Sequence, residues 1–327
     1  MIYRKLGSSN IEVSTVAFGA WAIGGWMWGG TDEREAVDAI HAALDHGITL
    51  IDTAPIYGFG HSEELVGRAL HDRREKAVVA TKCGMVWDRQ EGEFFFHSSL
   101  EGMTFRESEK KIYKCLRPDS IRAELEQSLK RLGMTHVDLY QTHWQEGTTP
   151  IADTMATLLK LKDEGKIRAI GVCNANLIQL AEYGAIDTDQ EKFSLLDRDI
   201  ERDGRLAYCR RSGIGMLPYS PLSNGLLTGT IRPDRQFGSG DLRRGNRRFT
   251  AANIEKVNGM LEQLRPIAEQ HHVSTAQLVI AWTVSQPGVT SVLCGARNAR
   301  QAIENAAAGN LALSAEELDT IGATVHV

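Results

Sequence analysis

Four residues of this chain make an acid catalyst if the fold brings them together: Asp52, Tyr57, Lys82 and His143. Asp52-Thr53-Ala54 follows an apolar run at 48–51, and Tyr57-Gly58 comes shortly after. Lys82 and His143 stand at the ends of two later apolar runs. A tyrosine phenol has an ordinary pKa of about 10, too high for ready proton donation at neutral pH. A neighbouring ammonium stabilises the phenolate and lowers that value, and a carboxylate holds the ammonium charged and in place. His143 then orients a carbonyl oxygen or relays the proton. Such a site protonates an oxygen on its way to alkoxide, as carbonyl reduction by hydride requires. Taken singly, each residue has an ordinary structural reading: a turn or cap Asp, a packed Tyr, a solvated Lys, a loop His. Only convergence on one face makes a site.

Strand-like and helix-like stretches alternate along the chain and decide whether the four converge. The strands are expected at 15–20, 49–54, 77–83, 137–143, 167–174, 192–196, 214–220 and 291–296. Most are near-continuous apolar runs, as in parallel strands buried on both faces. Amphipathic helices lie between them. One begins at Asp32 with Glu35 three residues on, carries Val37, Ile40 and Leu44 on one face, and ends at Gly47. Another opens with Pro118, carries Ile121, Leu125, Leu129 and Leu132, and stops at Gly133. This α/β pattern fits a (β/α)8 TIM barrel, with a doubly wound sheet plus an appended domain as its competitor. No linker or composition break divides the chain, so residues 1–327 read as one domain. Residues 3–6 and 11–13 flank Gly7-Ser8-Ser9-Asn10 as an N-terminal β-hairpin that plugs the barrel floor.

In a barrel, the ends of strands two, three and four are neighbours, and active sites sit at the C-terminal face. Two long loops are expected on that face. The segment 84–117 carries Trp87, Phe94, Phe95, Phe96 and Phe105, and 224–253 carries Arg232, Arg235, Arg243, Arg244, Arg247 and Arg248. Trp21, Trp26 and Trp28 follow the first strand and can wall a pocket with Trp87 and Trp144, or simply pack the rim. Aromatic walls suit apolar, ring-bearing or sugar-like carbonyl compounds.

Composition narrows the class. Hydrophobic residues make up 42% and charged residues 24%, ordinary for a globular enzyme, with a formal net charge of −5. That balance gives no basic face for nucleic acid or an anionic membrane. No stretch is long and apolar enough to span a bilayer, and MIYRKLGSSN lacks the core of a signal peptide. Five scattered cysteines without a C-x-x-C pair read as reduced thiols of a cytoplasmic protein. There is no G-x-G-x-x-G after a strand, no Tyr-x-x-x-Lys and no H-E-x-x-H, so a Rossmann dehydrogenase, a short-chain reductase and a catalytic metal are disfavoured.

The stretches LIDTAPIYGFGHSEELVGRAL, VVATK, SLKRLGMTHVDLYQTHW, LKDEGKIRAIGVCN, PYSPLSNGLLTG and AWTVSQPGVTSVLCGARNARQAIEN together resemble the aldo-keto reductases. The spacing is similar to that of their bacterial NADP(H)-using branch, from Lys5-Leu6-Gly7 to the last strand and helix. By that resemblance Asp52, Tyr57, Lys82 and His143 match the family's catalytic tetrad, with Tyr57 as general acid. It also implies an extended nicotinamide cofactor, NADP(H) with NAD(H) as the other choice, and hydride transfer without metal. Asn174 and Gln190 match the residues that hold the nicotinamide carboxamide, and Tyr219 the ring that stacks on it. Cys173 belongs to the same end, but stands where the family often has Ser. Ser220, Pro221, Leu222, Gly225 and Leu227 match the pyrophosphate grip. Gly295, Ala296, Arg297, Gln301, Glu304 and Asn305 match the adenosine end, with Arg297 as the 2′-phosphate partner. Other departures are Phe193 for Tyr, Cys294 for Pro, and Gln301 where some relatives have Arg. The resulting expectation is a reductase acting on a sugar-like or bulky cyclic aldehyde or ketone. The alternative is an NADP(H)-sensing binding subunit with little turnover.

Overall fold

The structure is a computed structural model that describes residues 1–98 and 110–324. The chain starts with an antiparallel hairpin, β1 (Tyr3–Lys5) against β2 (Glu12–Ser14). Gly7, at φ +58°, sits in its turn so close to the barrel that a Cβ would lie 1.7 Å from the Asp187 carbonyl oxygen. Three parallel strands follow: β3 (Val16–Gly19), β4 (Leu50–Asp52) and β5 (Val78–Cys83). A small antiparallel sheet then interrupts the series, formed by β6 (Met85–Val86), β7 (Glu93–His97) and β8 (Lys111–Lys114) in the order β6-β8-β7. The parallel series resumes with β9 (Val137–Thr142), β10 (Ile167–Cys173), β11 (Thr188–Gln190), β12 (Gly215–Met216) and β13 (Val292–Gly295).

The eight parallel strands pair in the order β12-β11-β10-β9-β5-β4-β3-β13. Bridges Met216–Val289 and Tyr219–Leu293 close the circle, with Leu293 N–H donating to the Pro218 carbonyl at 2.8 Å. The architecture is the expected (β/α)8 barrel. Its strands lack apolar/polar alternation because both faces are buried. Leu50, Ala80, Leu139, Ala169, Leu217 and Leu293 point inward and meet Leu6, Ile11 and Val13 of the hairpin, which seals the floor. Their neighbours Ile51, Val79, Tyr140 and Ile170 point outward, into the layer packed beneath the helices.

The helices begin and end where cap chemistry dictates. Glu33–Asp45 is capped by Asp32, whose carboxylate accepts the Glu35 N–H at 3.0 Å. Pro118–Leu132 starts at its proline and stops at Gly133 in the left-handed region. Among the described residues no helix is long and apolar enough to cross a membrane. All five cysteines are buried free thiols.

Three sequence expectations need correction. The sixth strand is Thr188–Gln190, not 192–196. Its polar residues hid it: Gln190 turns into the barrel toward Asp52, and Asp189 turns outward to Cys209. The seventh is regular only over Gly215–Met216, although Leu217 and Tyr219 N–H continue its pairing to the Asp189 and Glu191 carbonyls at 2.8 Å. Pro218 between them has no N–H to donate. Within the segment 84–117 the described residues form the β6-β8-β7 sheet rather than only a plain loop; Phe105 lies outside the described residues.

Candidate active site

Inward-facing positions near the C-terminal ends of the strands carry the polar residues. Asp52 ends β4 and Lys82 lies one residue before the end of β5. Lys82 Nζ donates to Asp52 Oδ2 at 2.7 Å, to the Thr53 carbonyl at 3.0 Å and to the Tyr57 hydroxyl at 3.4 Å. Tyr57 belongs to the turn after β4, where its N–H bonds to the Ala54 carbonyl at 3.1 Å. That turn is pressed against the loop after β3: a Cβ on Gly58 would lie 2.2 Å from the Gly24 carbonyl oxygen. His143 follows β9, its N–H bonded to the Cys83 carbonyl at 2.9 Å. Its ring stands edge-on to Tyr57, with centroids 5.7 Å apart and planes at 82°. The four predicted residues therefore converge.

Burial sets their charge states. Taking the Tyr57 phenol out of water disfavours phenolate and pushes its pKa up to about 12, against the downward pull of Lys82. The expected lowering by the ammonium is present, but desolvation outweighs it. For Lys82 burial acts against the charge, and Asp52 with Tyr57 overcomes it, holding the ammonium above its ordinary value. Burial and then the Lys82 charge drive His143 well below the ordinary histidine value, so its imidazole is neutral at physiological pH.

A cleft of about 620 Å³ opens over these residues. Asp52, Tyr57 and His143 line it, while Lys82 lies beneath with no exposed surface. Asn174 and Tyr219 form one wall, where the Tyr219 hydroxyl donates to Asn174 Oδ1 and Asn174 Nδ2 to the His143 carbonyl, both at 2.9 Å. Gln190 also faces the cleft and donates through Nε2 to Asp52 Oδ1 at 3.0 Å. Ser220, Pro221, Leu222 and Gly225 continue the lining through a tight turn that holds Ser220 and Asn224 at positive φ. Gly295, Arg297, Gln301, Glu304 and Asn305 line it around the start of the helix Ala299–Ala308. Three expected contacts are not on the surface of the cleft. Cys173, Leu227 and Ala296 are buried in the apolar packing behind the lining residues.

Arg297 is less free than expected. Its guanidinium donates to the Gly30 carbonyl at 2.7 Å and the Trp28 carbonyl at 3.3 Å. The loop it holds also pairs with the segment around 240: Leu242 N–H bonds to the Met27 carbonyl and Gly29 N–H to the Gly240 carbonyl. Arg243 forks onto Asp241 at 2.9 and 2.7 Å and lies 5.3 Å from the Trp28 ring, so of the loop arginines it is the one lining the cleft. Arg248 instead pairs with Asp197. Arg300 lines the cleft and was missed by the sequence reading; its place in the first turn after the Asn298 cap was the available signal.

Trp21, Trp26, Trp28 and Trp144 line the cleft as expected, joined by Phe95 and Phe96 from β7. Trp26 stacks on Phe96 at 6.1 Å, and Phe95 packs on Trp144 at 5.3 Å. Trp87 does not reach the cleft; it packs edge-on behind Phe59 at 5.4 Å. Among the described residues no group of His, Cys, Asp and Glu is placed to hold a metal ion.

Comparison with known proteins places these features in a lineage. The description "Aldo/keto reductase family" matches residues 15–325. The NADH-specific methylglyoxal reductase of Escherichia coli (strain K12) is 43% identical over 319 residues, covering 94% of each chain. A glycerol dehydrogenase from Gluconobacter oxydans superposes with a TM-score of 0.86 at 38% identity, over 98% of this chain and 94% of that one. An aldo-keto reductase from Klebsiella pneumoniae solved in complex with NADPH gives 0.72 at 26% identity, over 98% and 94%.

Proposed function

The chain belongs to the aldo/keto reductase family, and from that membership we propose that it reversibly reduces an aldehyde or ketone to the alcohol with a reduced nicotinamide cofactor. The observation that carries this reading is the Tyr57 hydroxyl, 3.4 Å from the buried Lys82 ammonium and beside the His143 ring, on an aromatic-walled cleft.

The residues present suit the cofactor. Asn174 has one amide hydrogen on its bonded side chain left to give, since Oδ1 takes Tyr219 and Nδ2 has given one to His143. Gln190 gives Nε2 hydrogens to Asp52 and to Gln141 Oε1 and keeps an acceptor oxygen. One donor and one acceptor side by side complement a primary carboxamide. When bound, the nicotinamide supplies the hydride. His143 donates an N–H to the carbonyl oxygen and polarises it. Tyr57 gives its proton to that oxygen as charge develops there, and Lys82 stabilises the phenolate left behind. The tryptophan and phenylalanine walls keep water from this exchange.

The charge states give a pH prediction. Reduction needs the Tyr57 phenol, the form present below its raised pKa, and a His143 that stays neutral. Reduction kcat is therefore expected to stay flat from about pH 6 to about pH 9, while alcohol oxidation, which needs phenolate, rises up to about tenfold per pH unit. Steady-state profiles in both directions check this. A step in reduction near pH 7 would assign the proton to another group.

NADP(H) is the proposed cofactor because Arg297 and Arg300 both line the cleft at a helix N-terminus, a natural phosphate site. NAD(H) is the second reading, favoured by the bonds that tie Arg297 to the Trp28 and Gly30 carbonyls and by the name of the Escherichia coli relative. On the first reading Arg297→Leu weakens NADPH binding by about 10- to 100-fold and leaves NADH nearly unchanged. Equal losses for both, measured by fluorescence titration, would reduce Arg297 to a loop anchor.

The apolar walls support a sugar-like or bulky cyclic carbonyl substrate, held by ring faces. The relatives' names favour smaller, polar compounds instead. Consumption of NADPH and NADH over a panel of small dicarbonyls, aldehydes, keto-sugars and bulky cyclic ketones decides among these. Turnover with at least one class is expected; tight cofactor binding with negligible oxidation throughout would make the protein a nucleotide sensor.

A further inference from the structure

Gln141 lies inside the barrel beneath the cleft, fully buried, and the reaction just described does not use it. Its Nε2 donates to Asp52 Oδ1 at 3.3 Å, the same oxygen that accepts from Gln190 Nε2 at 3.0 Å. Gln190 Nε2 also lies 3.5 Å from Gln141 Oε1. These contacts have a direction. Asp52 is ion-paired to Lys82 through Oδ2, and a carboxylate oxygen only accepts hydrogen bonds. Both amides must therefore turn their NH2 ends toward Oδ1. With its hydrogens directed at Asp52 and Gln141, Gln190 leaves only its carbonyl oxygen for the cleft that it lines.

The barrel makes room for this arrangement at one position. Gln141 pairs in register with Lys82 on one side and Gly171 on the other, and Gly171 pairs with Thr188. A Cβ on Gly171 would lie 2.8 Å from Gln141 Cγ and 2.3 Å from Thr188 Oγ1. The absent side chain on β10 is what lets the side chain on β9 reach across to Asp52.

We propose that Gln141 is a positioning residue: with Asp52 it locks the amide of Gln190 so that an acceptor oxygen, not an NH2, faces the carboxamide of the cofactor. This rests on the reductase reading for the identity of that cofactor. It couples the proton-donating group to the cofactor cradle, because the carboxylate that holds Lys82 also sets the polarity of the cradle.

The test uses the whole protein carrying Gln141→Leu, which keeps much of the volume and removes both amide contacts, and Gln141→Glu. NADPH and NADH dissociation constants are measured by fluorescence titration without substrate, then kcat and KM with a carbonyl that turns over. Gln141→Leu is expected to weaken the cofactor about five- to tenfold and to lower kcat by a similar factor, with KM for the carbonyl within about twofold. In Gln141→Glu a protonated carboxyl can still donate to Asp52 and accept from Gln190, whereas an ionised one repels Asp52. Its cofactor affinity is expected near that of the wild type at low pH and to fall as pH rises, a dependence that loss of packing alone would not produce. Wild-type affinity in Gln141→Leu, or a pH-independent affinity in Gln141→Glu, overturns the proposal, and the second variant decides if the first does not fold. Cofactor binding without turnover on any carbonyl would sink the reductase reading and leave this binding comparison intact. Failure of the wild type to bind either dinucleotide overturns both.

Discussion

Tyr57→Phe is expected to lower kcat for carbonyl reduction by about 10²- to 10⁴-fold while cofactor affinity stays within about twofold. The substitution deletes one oxygen. The ring remains packed against Trp21 and edge-on to His143, so the cleft keeps its shape. What disappears is the proton donor 3.4 Å from Lys82 Nζ. His143 cannot replace it, since burial and then the Lys82 charge keep its imidazole neutral and unable to deliver a proton readily. Single-turnover measurements with saturating cofactor read the chemical step directly. A loss below tenfold would move the general acid elsewhere, whereas a parallel loss of cofactor affinity would make Tyr57 a structural residue.

Lys82→Met is expected to cost about 3–5 kcal/mol of stability, as well as most of the activity. Lys82 and Asp52 form an ion pair at 2.7 Å with essentially no solvent around it. Removing the ammonium leaves a buried carboxylate with the Gln141 and Gln190 amides as donors but no counter-charge. The double variant Lys82→Met with Asp52→Asn removes both charges and is expected to regain most of the stability. Activity should stay low, because nothing then stabilises the Tyr57 phenolate. Urea unfolding at pH 7 measures the first part and turnover the second. A single variant within about 1 kcal/mol of the wild type would show that water or rearranged neighbours already solvate Asp52.

Three of the residues that gather at the site were legible because each sits at the end of an apolar run, with Tyr57 in the turn after the first of them. Asp52, Lys82 and His143 mark three adjacent strand ends, and the barrel turns that spacing into proximity. The hairpin floor was legible from a different signal, two short strand-like stretches flanking the turn Gly7-Ser8-Ser9-Asn10. The strand Thr188–Gln190 was not, because it carries polar residues that face partners rather than a core. Nor was the sign of the Tyr57 shift: a sequence pairs an ammonium with a phenol, but only the fold shows how little water surrounds them. Trp87 reads like its neighbours Phe95 and Phe96, and only the pairing of β6, β7 and β8 decides which rings face the cleft. The tie between Arg297 and the Trp28 and Gly30 carbonyls spans more than 260 residues, beyond any local pattern.

The central claim is direct hydride transfer to a carbonyl carbon, with the oxygen's proton supplied from Tyr57. NADPH, or NADH, carrying deuterium at the transferring position can be incubated with the protein and a carbonyl from the responsive class in ordinary water, and the alcohol examined by mass spectrometry and NMR. One deuterium on the carbinol carbon for each cofactor oxidised is the expected result. An alcohol without carbon-bound deuterium under either placement of the label, or cofactor oxidation without alcohol, would contradict it.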